Sequence, residues 1–170
     1  MSIKPIVLLG DPRLRLKGEP VDSFGKYLHE LLDDLTDTMR KAPGVGLAAP
    51  QLGVPKQVCV VEIEGKTWEF VNPKIVHADG EERDLEGCLS IPGYVAYVTR
   101  NQKIAVVAQD RRGKKFKMHG AGFLARAVQH EFDHLQGKLY IDYLASMDEL
   151  IAVSDLPDED EESARVGALG

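Results

Sequence analysis

The chain has 170 residues, and its 44% hydrophobic and 28% charged residues are the balance of a globular protein long enough to bury a core. A net charge of −6 argues against broad nucleic-acid binding, which needs a basic face. No apolar run approaches the ~20 residues of a membrane-spanning helix, and Gly10-Asp11-Pro12 interrupts the N-terminal segment too early for a signal peptide. We therefore expect a cytoplasmic protein that binds neither nucleic acid nor membrane.

The first predicted helix covers residues 23–41, where apolar side chains recur at helical spacing with acidic residues between them. The apolar positions are Leu28, Leu31, Leu32, Leu35 and Met39. Pro43 and Gly44 follow the pattern and are expected to end the helix. Because such a stripe is typical of core packing, we assign this amphipathic N-terminal helix no part in the chemistry.

Residues 44–51 contain two glycines and two adjacent alanines, and therefore carry very little side-chain bulk. This suits a backbone segment that a ligand or another element approaches closely. The spacing fits neither the dinucleotide fingerprint nor a phosphate-binding loop. Taken alone, the segment is best interpreted as an ordinary glycine-rich loop between a helix and a strand.

The following segments predict strands joined as hairpins. Residues 57–63 and 67–71 flank a turn at Glu64 and Gly65, and residues 103–108 and 114–118 flank a second turn. Asn72 and Pro73 interrupt the first hairpin, and residues 74–77 resume the strand pattern. Hairpins imply antiparallel pairing, so we predict an α+β fold with antiparallel sheets packed around a central helix.

The two cysteines differ in their surroundings, and we expect both to be reduced. Cys59 lies among valines within a predicted strand, and a buried, inert thiol is the expected state. Cys88 lies in residues 86–90, which we place in a loop, with a glycine before it and polar flanks. A thiolate there could serve as a soft metal ligand, but a free loop cysteine is the favoured interpretation when this segment is considered alone.

Residues 129–134 contain an HExxH motif within a predicted helix that Gly137 ends. His130 and His134 are four residues apart, so a helix places both imidazoles on one face, where they can bind one metal ion. Glu131 lies beside them, where its carboxylate can reach a water on that ion. Catalytic zinc-type sites usually have three protein ligands, so the position of the third ligand decides the function.

The candidates for the third ligand separate several classes of protein. In metzincin proteases the motif continues to a third histidine, but Tyr140 occupies that position here, and a phenol is a poor substitute. A thermolysin-like zincin would use an acidic residue further along the chain. The available acidic residues are Asp148, Glu149 and Asp155. The other histidines (His29, His77 and His119) are expected to be structural or on the surface, which leaves Cys88 as the best candidate.

Together, residues 44–51, 86–90 and 129–134 resemble, in the same order, the three motifs of the peptide deformylases, and the likeness covers roughly residues 4–144. The resemblance implies an enzyme that removes the N-formyl group from N-formylmethionyl polypeptides and releases formate. Two alternatives from other classes are a zincin-type metalloendopeptidase and a non-catalytic metal-binding or peptide-binding domain.

The resemblance also implies the roles of individual residues. The implied metal ligands are Cys88, His130 and His134. Glu131 would be the catalytic acid and base, while the side-chain amide of Gln51 and the backbone N–H of Leu89 would bind the developing oxyanion. The family implies one divalent ion, Fe²⁺, which Zn²⁺, Ni²⁺ or Co²⁺ can replace in purified protein.

Substrate-binding residues are predicted on two segments. By resemblance, Val45 and Gly46 would pair with the substrate backbone. We expect the low bulk from Gly44 onwards to admit a formyl group and exclude an acetyl group. Phe123 and Ala127, one helical turn apart, are the predicted walls of an apolar pocket for the first substrate side chain.

We expect residues 1–150 to form a single catalytic domain and residues 151–170 to form an acidic, disordered tail. Residues 155–162 are strongly acidic, and ribosomal RNA would repel them. Docking on the ribosome through this end is therefore not expected, although the substrates themselves come from the ribosome.

Overall fold

The computed structural model describes residues 2–157 and 169–170, and within them it has two α-helices and eight β-strands. The helices are α1 (Lys26–Lys41) and α2 (Gly122–Leu135). The strands are β1 (Gly46–Ala48), β2 (Val58–Ile63), β3 (Lys66–Asp79), β4 (Glu82–Cys88), β5 (Ile91–Arg100), β6 (Lys103–Gln109), β7 (Lys115–Ala121) and β8 (Ile151–Ala152).

Two antiparallel sheets enclose α2. One sheet has the strand order β1-β2-β3-β6-β7, and the other has the order β4-β5-β8. α2 contacts strands of both sheets, and ten of its 14 residues are buried. The predicted α+β fold with a central HExxH helix is confirmed.

Strand β2 is buried on both of its faces, because a helix covers each one. Val58 and Val60 belong to the apolar cluster that contains the buried face of α1. Cys59 and Val61, which point to the opposite face, belong to the cluster that contains the buried residues of α2. Cys59 is fully buried, and burial raises the pKa of its thiol well above the ordinary value. The expectation of an inert, buried thiol is confirmed.

Helix α1 buries the predicted apolar stripe, but it begins at Lys26 rather than at residue 23. Gly25 is its N-cap and has an extended backbone conformation, without a side chain that could cap the helix. Glycine is a poor helix former, which explains the later start. Phe24, just before the cap, packs against the apolar cluster of α1.

The predicted interruption at Asn72 and Pro73 is wrong, since β3 continues through both residues. The pairing of β3 with β6 shifts register between Val71 and Lys74, so a bulge accommodates the missing N–H of the proline. The side chain of Asn72 stabilises the bulge: its amide oxygen accepts from the N–H of Val21 at 2.8 Å, and its amide nitrogen donates to the carbonyl of Val21 at 2.8 Å.

The hairpin of β4 and β5 was not predicted, and the placement of Cys88 in a loop is wrong, because Cys88 is the last residue of β4. The charged residues of β4 concealed its strand character from a periodicity argument. Its most buried charge, Glu86, has no exposed surface and is compensated by arginines on β5 and α2.

The predicted acidic tail lies partly outside the described residues, which exclude 158–168. Within the described part, Ile151–Ala152 forms β8 and pairs with β5, and Leu169 and Gly170 are buried. Across the described residues, no helix is both long and apolar enough to cross a membrane.

Candidate metal centre

Three buried side chains from two elements, β4 and α2, converge in the interior. The ligand atoms of Cys88, His130 and His134 all lie within 4.8 Å of one another, and all three residues are buried. The Sγ of Cys88 is 3.5 Å from the Nε2 of His134. One sulfur and two imidazole nitrogens at this spacing fit a tetrahedral metal site that keeps one position open. Among the described residues, this is the one group of three such donors that could share an ion.

Local geometry explains how the donors meet. On α2 the four-residue spacing places the rings of His130 and His134 edge to face, with centroids 5.1 Å apart. On β4 the pairing with β5 shifts register between Gly87 and Cys88, which redirects the chain at the cysteine. Tyr140, which replaces the third metzincin histidine, stacks on the ring of His130 at 6.2 Å and is not one of the three donors.

Glu86 is a component of the site that the sequence analysis missed. Its Oε2 lies 2.6 Å from the Nδ1 of His130, so it fixes the N–H on that nitrogen and leaves Nε2 free to bind an ion. Burial opposes its ionisation, but Arg100 and His130 hold the pKa of the Glu86 carboxyl well below the ordinary value. The sequence did contain a signal for this role, namely an acidic residue only two positions before the candidate ligand Cys88.

The two histidines have opposite electrostatic environments. Burial favours the neutral form of His130, but the carboxylate of Glu86 and the sulfur of Cys88 raise its pKa well above the ordinary value. Burial, together with the charge of His130, lowers the pKa of His134 to about 3. His134 is therefore a neutral imidazole across the physiological range, whereas a metal ion would have to displace a proton from His130 to bind its Nε2.

Glu131 has the properties of an acid and base catalyst. It is fully buried, and burial raises the pKa of its carboxyl to about 7. Its Oε2 accepts a hydrogen bond from the N–H of Gly170 at 3.1 Å, whereas its Oε1 has no partner among the described residues. A carboxyl group that titrates near neutral pH beside three metal-type donors can both accept and release a proton.

Two hydrogen-bond donors, from Gln51 and Leu89, lie next to Cys88. The amide oxygen of Gln51 accepts from the N–H of Ala48 at 3.0 Å, which directs its amide nitrogen to Ser90 Oγ at 3.0 Å and Cys88 Sγ at 3.9 Å. The backbone N–H of Leu89 donates to the carbonyl of Leu169 at 2.8 Å. The structure therefore places the two predicted oxyanion donors at the cysteine side of the cluster.

The predicted substrate segment forms the edge of the larger sheet. β1 pairs with β2 on one side only, and Gly46 is its first residue, directly after Gly44 and Val45. A Cβ atom built on Gly46 would come within 2.8 Å of the Cδ of Glu131, so a larger residue does not fit there. The close approach of Glu131 therefore requires a glycine at position 46.

The two predicted pocket residues lie in one apolar cluster. Ala127 is fully buried, and Phe123 is partly buried and packs against the same cluster, which also contains Leu169. Arg126, between them in sequence, is directed instead to Glu86, with its Nη1 3.0 Å from Oε1.

The acidic residues considered as zincin ligands lie elsewhere. Asp148, Glu149 and Asp155 are exposed, and within the described chain the group of close donors has a sulfur and no carboxylate.

Comparisons with known proteins agree with this arrangement. The family model described as polypeptide deformylase matches residues 3–150. A peptide deformylase of Heliobacterium modesticaldum is 52% identical over 142 residues, which cover 84% of this chain and 94% of the relative. Crystal structures of peptide deformylases are also similar. The one from Legionella pneumophila has a TM-score of 0.84 at 44% identity, covering 87% of this chain and 89% of that one. The one from Thermotoga maritima has a TM-score of 0.83 at 36% identity, covering 86% and 100%.

The resemblance noted from the three sequence motifs is confirmed, and the endopeptidase alternative is not favoured. The fold, the convergence of the three motifs and these relatives lead to one conclusion: the chain belongs to the polypeptide deformylase family, metal-dependent hydrolases that remove the N-formyl group from newly made polypeptides.

Proposed function

We propose that the deformylation reaction takes place at one divalent ion held by Cys88, His130 and His134. The observation that carries this assignment is the position of Glu131, a buried carboxyl with a pKa near 7 directly beside the three donors. When bound, the ion would polarise the formyl carbonyl and lower the pKa of a water molecule toward neutrality. The products are formate and a free amino terminus.

The protein's own groups handle the protons and the developing charge. Glu131 takes a proton from the attacking water and passes it to the amide nitrogen as that nitrogen leaves. The amide nitrogen of Gln51 and the N–H of Leu89 donate to the carbonyl oxygen as it becomes negative, each worth roughly 3–4 kcal/mol by analogy with other oxyanion donors. Glu86 holds the ring of His130 in place through Nδ1.

We infer that Fe²⁺ is the native ion, with Zn²⁺, Ni²⁺ or Co²⁺ as functional replacements in purified protein. The support is the donor set, since a thiolate and two imidazoles suit these borderline-soft metals rather than Mg²⁺ or Ca²⁺. The thiolate of Cys88 would donate charge to a bound ion and so temper its Lewis acidity.

For substrate binding, we propose that a formylated peptide pairs with the edge strand β1 at Val45 and Gly46. The first side chain would enter the apolar cluster of Phe123 and Ala127. Glu131 approaches Gly46 closely, and we expect the narrow space beside them to admit a formyl hydrogen and to exclude the methyl of an acetyl group.

We also infer that the enzyme meets its substrates near the ribosome, in the cytoplasm, because the substrates are nascent polypeptides. Docking through the acidic residues 155–162 is not part of this proposal. Those residues lie largely outside the described chain, and their charge opposes contact with RNA.

The direct test is formate release from formyl-Met-Ala-Ser by anaerobically purified protein, with the metal content measured in the same samples. We expect Cys88→Ala to lose the metal and the activity, and Glu131→Ala to keep the metal while losing activity. The matched control is Cys59→Ala, which removes the other thiol and should leave metal content unchanged. Retention of one tightly bound ion by Cys88→Ala would overturn the ligand assignment.

A further inference from the structure

The chain places one of its own segments in the metal centre. The carbonyl oxygen of Gly170 lies 3.0 Å from the Nε2 of His134 and 3.2 Å from the Sγ of Cys88, and it also contacts the Nε2 of His130. This single oxygen therefore contacts all three candidate ligands. A catalytic ion of the proposed kind would act as a Lewis acid toward carbonyl oxygens, so the segment meets the metal centre with a group that can itself become a ligand.

The main chain of the same segment forms hydrogen bonds with two groups of the proposed catalytic machinery. The N–H of Gly170 donates to the Oε2 of Glu131 at 3.1 Å. The carbonyl of Leu169 accepts from the N–H of Leu89 at 2.8 Å. Both groups are those that a peptide substrate would engage in the proposed reaction.

The residue types of the segment also fit the proposed substrate site. Leu169 has no exposed surface and lies in the apolar cluster proposed for the first substrate side chain, with Phe123 and Ala127. At position 170 only glycine fits, because a Cβ there would come within 2.6 Å of both Glu131 Oε1 and the carbonyl carbon of Gly46. The segment therefore offers an apolar side chain to the cluster and has no side chain at position 170, where none fits.

From these contacts we propose that Leu169 and Gly170 form an internal pseudosubstrate, which competes with formylated peptides and supplies the carbonyl oxygen of Gly170 to the bound ion. This inference rests on the proposed function. Leu169 and Gly170 lie in the site in the opposite chain direction to a substrate. From the metal centre the segment continues toward its N-terminus, whereas a formylated peptide continues toward its C-terminus. It presents no formamide bond, so it occupies the site without being cleaved.

The expected size of the effect follows from tethering. A tethered ligand has an effective concentration of about 1 mM, so a segment with an intrinsic dissociation constant of ~0.1 mM would leave ~10% of the sites free. The apparent KM for a competing substrate rises by the inverse of that fraction, about tenfold, while kcat is unchanged.

The experiment compares full-length Co²⁺-loaded proteins. Leu169→Asp places a charge in the apolar cluster, and Gly170→Val introduces a side chain that the site cannot hold. Leu16→Asp makes the same change at an exposed leucine and is the matched control. The readouts are the visible Co²⁺ spectrum, kcat and KM for formyl-Met-Ala-Ser, and calorimetric binding of a C-terminally amidated peptide with the sequence of residues 163–170.

We expect both tail variants to show a changed Co²⁺ spectrum, an unchanged kcat and a KM about tenfold lower, and the control to match the wild type. The peptide should bind the two variants about tenfold more tightly than it binds the wild type. Thermal unfolding of each protein shows whether a variant has lost its fold. If one tail variant is unfolded, the other tail variant tests the proposal.

Two results would overturn the proposal. One is a spectrum, KM and peptide affinity that do not differ between the wild type and the tail variants. The other is a KM difference that disappears on dilution, because it would place the segment of a second molecule in the site. If no protein releases formate, the proposed function fails, and the spectrum and peptide binding still report on the pseudosubstrate.

Discussion

Replacing Glu86 with glutamine should weaken both the fold and the metal centre. The carboxylate has no exposed surface, and it accepts four hydrogen bonds. Two come from Arg100, at 3.0 and 2.6 Å; one comes from Arg126 at 3.0 Å and one from His130 at 2.6 Å. Glutamine keeps the shape, but it replaces one acceptor with a donor that faces other donors.

The magnitude follows from the loss of charge compensation. Removing one partner of a buried ion pair costs about 3–5 kcal/mol, because the remaining charge stays buried without its counter-charge. Arg100 retains Asp133 at 2.6 Å, so we expect the lower end, about 3 kcal/mol of unfolding free energy. Losing the partner of a ligating histidine should also reduce metal affinity by roughly 10–100-fold.

The assay is urea unfolding of the metal-free protein, combined with a chelator competition that measures the dissociation constant of the metal. Glu81→Gln is the matched control, since Glu81 is exposed and immediately precedes β4. The reasoning would be refuted if Glu86→Gln matched Glu81→Gln in both unfolding free energy and metal affinity, because the buried carboxylate would then support neither.

Three further predictions concern the catalytic residues. The pKa of Glu131 rises from 4.5 to about 7 on folding, so the folded state holds this proton more tightly than the unfolded state. The resulting stabilisation is present below pH 4.5 and is lost as pH rises through 7, an effect of about 3 kcal/mol. In metal-free protein, urea unfolding between pH 5 and pH 8 should show this decrease for the wild type, and Glu131→Gln should not show it. Gln51→Leu removes an oxyanion donor without removing a metal ligand, so kcat should fall roughly 10²–10³-fold at full metal content. Ala127→Leu narrows the proposed pocket and should raise KM for formyl-methionyl peptides several-fold with little change in kcat.

The predictions for Gln51 and Ala127 each have a control at an exposed position. Gln102→Leu should leave kcat unchanged, which separates the oxyanion contact of Gln51 from a general effect of the substitution. Ala145→Leu should leave KM unchanged, and an unchanged KM for Ala127→Leu as well would remove Ala127 from the pocket. A wild-type pH dependence that persists in Glu131→Gln would assign the titration to another group.

The elements that could be predicted are those whose evidence is local along the chain. The apolar stripe of α1 repeats within four residues, and the HExxH spacing fixes which two side chains share a helix face. The two predicted hairpins, each spanning a short turn, are likewise present as β2–β3 and β6–β7. In each case the residues that determine the element are close neighbours in sequence.

The features that could not be predicted depend on residues that are distant in sequence. The bulge at Asn72 is stabilised by Val21, and the buried Glu86 on β4 is tolerated because Arg100 and Arg126 come to it from other elements. A charged strand is indistinguishable from a loop until those partners are known. The sequence by itself determined the helices, most of the hairpins and the residue types of the site. Only the tertiary structure decided that Glu86 orients His130 and that Leu169 and Gly170 lie against the three metal-type donors, because contacts between distant segments follow from packing rather than from local spacing.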